Sequence, residues 1–91
     1  MSATNMNVGG YKNLTATANC SPNPCNLLGV FCATTTGGTV NIYDDASTGT
    51  GTPVTGTITL TAGTFYPVPA SLSKGLYVVI TNTANITVIY A

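Results

Sequence analysis

Gly38-Thr39-Val40-Asn41-Ile42-Tyr43-Asp44 decides the fold class. Val40 and Ile42 alternate with Thr39, Asn41 and Tyr43, the two-residue period of a strand with one buried face and one hydroxyl-rich outer face. The same period recurs outward from this stretch. In Leu14-Thr15-Ala16-Thr17-Ala18 the apolar set lies on one side and the threonines on the other. Ile58 and Leu60 alternate with Thr57, Thr59 and Thr61, and Ile86, Val88 and Tyr90 oppose Thr87 and Ile89. A 3.6-residue period appears nowhere. Leu27 to Ala33 and Leu76 to Ile80 are continuously apolar, which predicts strands covered on both faces, by the domain interior on one side and a neighbouring subunit on the other.

Gly37-Gly38 and Asn82-Thr83-Ala84-Asn85 read as hairpin turns between these runs. Asn19-Cys20-Ser21-Pro22-Asn23-Pro24-Cys25 reads as a further turn, since both prolines fix φ and remove ladder donors. The pattern predicts an all-β domain over residues 11–91, a small antiparallel β-sandwich, jelly-roll-like or barrel-like, of about seven short strands. Residues 1–10, polar, uncharged and Gly-ended, are expected to form a flexible arm that orders against a partner. Ala46 to Gly56, rich in Thr and Gly around Pro53, reads as a solvent-facing loop.

Lys12, Asp44, Asp45 and Lys74 are the only charged side chains among 91 residues, 4% of the chain, against about 25% in an ordinary soluble domain. A monomer of this mass exposes roughly 4,900 Å². A surface so nearly neutral lacks the charge repulsion that keeps proteins apart, so a subunit of a larger assembly is expected. With so few lysines to guard the sheet edges, neighbours are expected to cover them. Two cations and no His give too few contacts to displace counterions from phosphates, so no nucleic-acid partner is expected. The apolar runs fall short of the roughly 20 residues that span a bilayer, so no membrane partner is expected. Met1 to Asn7 has neither a basic nor an apolar region, so no secretory signal is read there.

Little in the chain points to chemistry. Cys20, Cys25 and Cys32 lack a fourth ligand and any His, so neither a metal nor a cofactor is expected. Cys20 and Cys25 flank a Pro-bearing turn whose ends could meet in a disulfide, or both remain thiols; Cys32 reads as a small core residue. Adjacent Asp44 and Asp45 would point to opposite faces of a strand and read as turn caps that bond backbone two residues on. Lys74, in Ser73-Lys74-Gly75, reads as a solvated turn charge or the partner of an aspartate in a neighbouring subunit. A nucleophile would need a base beside it, and none is indicated, so the chain is read as a non-enzyme. Phe65-Tyr66-Pro67-Val68-Pro69 belongs at a sheet margin, because proline cannot donate within a sheet. Its aromatics suit core closure, an oligomer contact or a ligand platform.

Gly29-Val30-Phe31-Cys32, Gly38 to Asp44, Leu60-Thr61-Ala62-Gly63-Thr64-Phe65-Tyr66-Pro67 and Lys74-Gly75-Leu76-Tyr77-Val78-Val79 together resemble small all-β structural proteins of tailed bacteriophages, of the type that decorates or cements the capsid exterior. The resemblance spans about residues 11–91 and lies in strand-and-turn pattern. It implies a virion location on the outside of the head after synthesis in the host cytoplasm, the major capsid protein as partner, and a homo-oligomer, a trimer above all. It carries over no functional residues. From the sequence itself, Leu27, Leu28, Phe31, Phe65 and Tyr66 are the candidates for packing that continues from core to interface. A head-fibre or adhesin-like module binding a glycan or receptor through Tyr66 and residues 46–56 is the alternative. A filament subunit growing by strand addition is a further one.

Overall fold

Even-numbered residues face inward along most of the two longest strands. Val30, Cys32, Val40 and Ile42 on one, and Leu76, Val78, Ile86 and Val88 on the other, are almost fully buried. The computed structural model that shows this describes residues 10–47 and 51–91. Its elements are β1 (Gly10–Leu14), β2 (Ala18–Ser21), β3 (Cys25–Asp44), β4 (Thr52–Pro53), β5 (Ile58–Thr59), β6 (Thr64–Leu72) and β7 (Leu76–Tyr90). All seven belong to one antiparallel sheet that does not close into a barrel.

The sheet is folded over, and its halves share two strands. In one half β1, the C-terminal part of β7, the N-terminal part of β3 and β6 lie side by side. In the other, β2 flanks the N-terminal part of β7, while β5 and β4 flank the C-terminal part of β3. A straight strand of 20 residues, the length of β3, would run about 66 Å at 3.3 Å per residue, yet the molecule's longest extent is 42 Å. The two ends of β7 are brought together: the Tyr90 hydroxyl donates to the Cys20 carbonyl at 3.2 Å, and Cys20 lies next to Asn19, the register partner of Tyr77. Between the halves lies one core, with Leu14, Leu27, Leu60, Leu72 and Ala84 joining the buried positions above. Each fully buried Leu, Ile or Val contributes about 1.5–3 kcal/mol.

The crease falls where hairpins were expected. Gly37 (φ 64°) and Asn82 (φ 66°) are single left-handed residues in two paired strands. A single positive φ also suffices for a type II′ hairpin turn, but here the residues on either side pair with the other strand and not with each other. One in each strand instead produces a bulge and a kink, and both chains continue. The register shifts here, at Thr36/Gly37, and the Asn82 side-chain amide (Nδ2) donates to the Gly37 carbonyl at 2.9 Å. Gly38 is held tightly: a Cβ there would lie 2.6 Å from Thr35 Oγ1 and 2.7 Å from the Thr83 carbonyl oxygen. The expected seven short strands are therefore five short or medium ones and two long ones.

Two further expectations are corrected. Residues 14–18 are not one strand, because the edge chain breaks at 15–17 as it passes the crease; there the Thr17 hydroxyl accepts from Ile80 N–H at 3.0 Å and donates to the Ile80 carbonyl at 3.3 Å, replacing a ladder pair. Gly10, assigned to the arm, is the first residue of β1 and pairs with Tyr90; the rest of the expected arm, 1–9, and positions 48–50 of the expected loop lie outside the described residues. The edges also carry guards of their own. Lys12 sits in edge strand β1 opposite buried Val88, an inward-side charge that discourages a second strand from pairing. Edge strand β6 carries Pro67 and Pro69, which offer no N–H. In the other half the outer strands are short, four residues in β2 and two each in β4 and β5.

If the crease depends on backbone contact at Gly38, Gly38→Ala will destabilise the fold by roughly 1–3 kcal/mol. Urea unfolding should show a lower midpoint with an unchanged slope.

Candidate interaction face

Register aligns residues far apart in sequence on the outer face of the first half-sheet. One row across it is Asn13, Thr87, Phe31 and Phe65; the next is Tyr11, Ile89, Gly29 and Pro67. Directly opposed residues share a face, so the two rows form one continuous surface. Tyr11, Phe31 and Phe65, the exposed large hydrophobic residues among those described, are 75%, 37% and 45% exposed, and all three stand here. Gly29 gives this surface its shape. The Phe65 ring leans across it, and an added Cβ would strike that ring and come within 2.8 Å of the Tyr66 carbonyl oxygen.

None of the charged residues occupies a register position in this face. Lys12 falls between Tyr11 and Asn13 on the opposite side of β1. Asp44 ends β3, with Asp45 next to it, and Lys74 lies in the turn between β6 and β7.

The predicted contact residues divide. Phe31 and Phe65 are register partners on the outer face. Leu27 is a core residue, 1% exposed. Leu28 is half-buried at the bulge where the β3 register shifts between Leu27 and Gly29. Tyr66 alternates inward and packs on the core; its hydroxyl accepts from Thr61 N–H at 2.7 Å and donates to the Thr59 carbonyl at 3.4 Å, fixing β6 to the segment before it. The margin position read from the prolines is correct, since β6 pairs with β3 alone. Tyr11, Ile89 and Pro67 were missed as members of the face, because nothing local in the sequence places them beside Phe31.

No family model, curated protein or solved structure matches the chain.

At the end of the sandwich opposite the crease, Asp44 ties the second half to the turn between β6 and β7. Its carboxylate accepts from Ser73 N–H and Ser73 Oγ, each at 3.0 Å, from Lys74 N–H at 2.8 Å and from Gly75 N–H at 3.3 Å. These donors, led by Ser73 N–H, hold its pKa down at about 2. Asp44 is thus a backbone cap, as its residue type suggests, but for a turn about 30 residues on. Asp45 makes the local cap, its Oδ1 accepting from Ser47 N–H at 2.8 Å.

All three cysteines are free thiols, so no Cys20–Cys25 bridge is formed. Burial pushes the Cys20 thiol up to about 11 and raises Cys25 and Cys32 as well. A raised pKa leaves little thiolate at neutral pH and makes these groups slow nucleophiles. Among the described residues no group of three His, Cys, Asp or Glu could hold a metal ion.

A carboxylate whose folded pKa lies below its unfolded value stabilises the fold above the unfolded value and loses that contribution as pH falls. Melting temperature should therefore fall as pH drops from 3.8 toward about 2; Asp44→Asn should flatten that fall and cost about 1 kcal/mol at neutral pH, as backbone donors lose a charged acceptor. With a thiol reagent at neutral pH, half-buried Cys25 should react first, and buried Cys20 and Cys32 only at the rate of unfolding.

Proposed function

We propose that the protein is a structural virion component that decorates or cements the outside of a tailed-phage head as a homo-oligomer, a trimer, with the major capsid protein as its partner. The observation that carries this reading is the charge-free aromatic face on a folded sheet whose edges are blunted. Such a surface suits binding through contact area. Desolvating hydroxyls, amides and rings costs far less than desolvating ions, so many modest contacts add up when a lattice repeats them. The work is mechanical: a protein that binds only the assembled shell stabilises it in proportion to binding free energy.

The glycan-binding alternative gains no support from Tyr66, whose hydroxyl is occupied within the fold. Growth of a filament by strand addition is opposed by Lys12, Pro67 and Pro69 at the edges of the first half.

Mixing purified protein with heads assembled from the cognate major capsid protein tests the proposal. Co-sedimentation should saturate at a fixed ratio to capsid subunits, and the heads should withstand higher temperature when saturated. Heads that neither retain the protein nor gain stability would rule the role out.

A further inference from the structure

We propose that Cys20 and Cys25 form a redox latch: free thiols in the reduced protein, joined by a disulfide once a small-molecule disulfide reaches Cys25, so that one half of the sandwich is tied to the other at the end opposite the crease. A latch of this kind would act whatever the protein binds, so it stands apart from the virion reading above.

Topology puts the two thiols on either side of one gap. Cys20 lies in β2, which pairs with β7 in the second half, while Cys25 opens β3 in the first half, opposite Leu72 of β6. Four residues, Ser21 to Pro24, join them. This short link crosses from half to half alongside the turn between β6 and β7, since Ser21 is the register partner of Leu76 and Cys25 that of Leu72. Ser21 holds the link tight, its hydroxyl donating to the Asn23 carbonyl at 3.0 Å and accepting from Asn23 N–H at 3.3 Å.

Both side chains turn inward. Cys20 belongs to the core, and half-buried Cys25 packs against it. Cys25 stands two residues before buried Leu27, on the same inner side of β3. Leu27 is the register partner of Tyr90, whose hydroxyl donates to the Cys20 carbonyl at 3.2 Å. One side chain thus spans from the neighbourhood of Cys25 to the backbone of Cys20. The third thiol is remote: Cys32 lies seven residues farther along β3, about 23 Å at 3.3 Å per residue.

Unequal exposure sets the order of events. Cys25 is the sulfur that an oxidant in solution can meet. Its thiolate attacks one sulfur of glutathione disulfide, the S–S bond breaks, and one glutathione leaves as a thiolate that takes up a proton. Cys25 is then a mixed disulfide. Cys20 gives up its proton and attacks the Cys25 sulfur, the mixed bond breaks, and the second glutathione leaves as its thiol. Two protein thiols have lost two electrons and two protons, and one glutathione disulfide has become two thiols. Burial pushes the Cys20 thiol up to about 11, with Lys12 opposing, which makes it slow toward reagents in solution; being held beside its target compensates.

The test incubates the reduced full chain with glutathione disulfide at neutral pH, quenches with acid, alkylates the remaining thiols in denaturant and maps the products by peptide mass. The wild type should end with a Cys20–Cys25 bridge, Cys32 free and no bound glutathione. Cys20→Ala should stop with glutathione on Cys25, and Cys25→Ala should stay reduced. Melting temperature should rise by roughly 10 °C when the wild type is oxidised and should not move for Cys25→Ala. In the folded chain the bridge should also form faster than Cys32 is alkylated, since labelling of that buried thiol marks unfolding.

A wild type that stays reduced, or that stops with glutathione on Cys25, puts one thiol out of reach and overturns the pair. A bridge to Cys32 or between two chains overturns it as well. A bridge that forms no faster than Cys32 is alkylated belongs to the unfolded chain, and one that leaves melting temperature unchanged or lower joins the cysteines without fastening the halves; either overturns the latch. If far-UV circular dichroism shows that Cys20→Ala misfolds, the wild-type products, rates and melting temperatures decide alone.

Discussion

The whole arrangement depends on two residues holding left-handed backbone side by side. Gly37 and Asn82 kink neighbouring strands at one level, and the Asn82 amide bonds across to the Gly37 carbonyl. Straight strands would leave a flat sheet with both faces wet. Such a sheet cannot bury the alternate valines, isoleucines and leucines that supply most of the folding free energy. Once creased, the same two strands face both ways, and even-numbered residues on either side of the bend meet in one core. Every peripheral strand then has a defined place along β3 or β7. Even the break in the edge chain at residues 15–17 coincides with the crease.

Each half of the sandwich has a different outer character because of how the periphery is attached. The first half is broad: β1 and β6 extend it on either side of the shared strands, and its outer positions gather three aromatics and a proline. The second half is flanked by strands of two to four residues and is pinned at the mouth by Asp44. The scarce charges have structural duties. Asp44 satisfies backbone donors of a turn, Asp45 caps its own loop, and Lys12 marks an edge. The neutrality of the broad face therefore reflects where the few charges are used as well as how few there are.

Much of this was legible in the sequence. Alternation at Val40/Ile42 and Ile86/Val88 identified strands and their buried faces, and the prolines of Phe65-Tyr66-Pro67-Val68-Pro69 identified a margin. The continuity of the two long strands was hidden, because one glycine or asparagine with positive φ looks the same in a sequence whether the chain reverses or only bends. What distinguishes the cases is the partner strand, and here that partner lies some 45 residues away. The candidate face was half visible for the same reason. Phe31 and Phe65 stand out by residue type, but Tyr11 joins them only through two strand pairings and the register that the bulges set. Tyr66 looked equivalent to Phe65, yet a strand sends neighbouring residues to opposite sides. The role of Asp44 was misplaced in distance alone: capping was read correctly, and the turn it caps is remote.

The position of β7 bears on how the molecule comes into being. It is an inner strand in both halves, pairing with β3 throughout and with β1 and β2 at its borders, and it is supplied by residues 76–90. While a ribosome is still adding these residues, neither half-sheet has its central partner. Contacts of such long sequence separation are entropically costly to close and form slowly. Until residues 76–90 are available, neither half can close its share of the core. Scarce charge offers the chain little protection in that interval, so a prompt, cooperative collapse once residues 76–90 are available shortens the time its apolar strands stand uncovered.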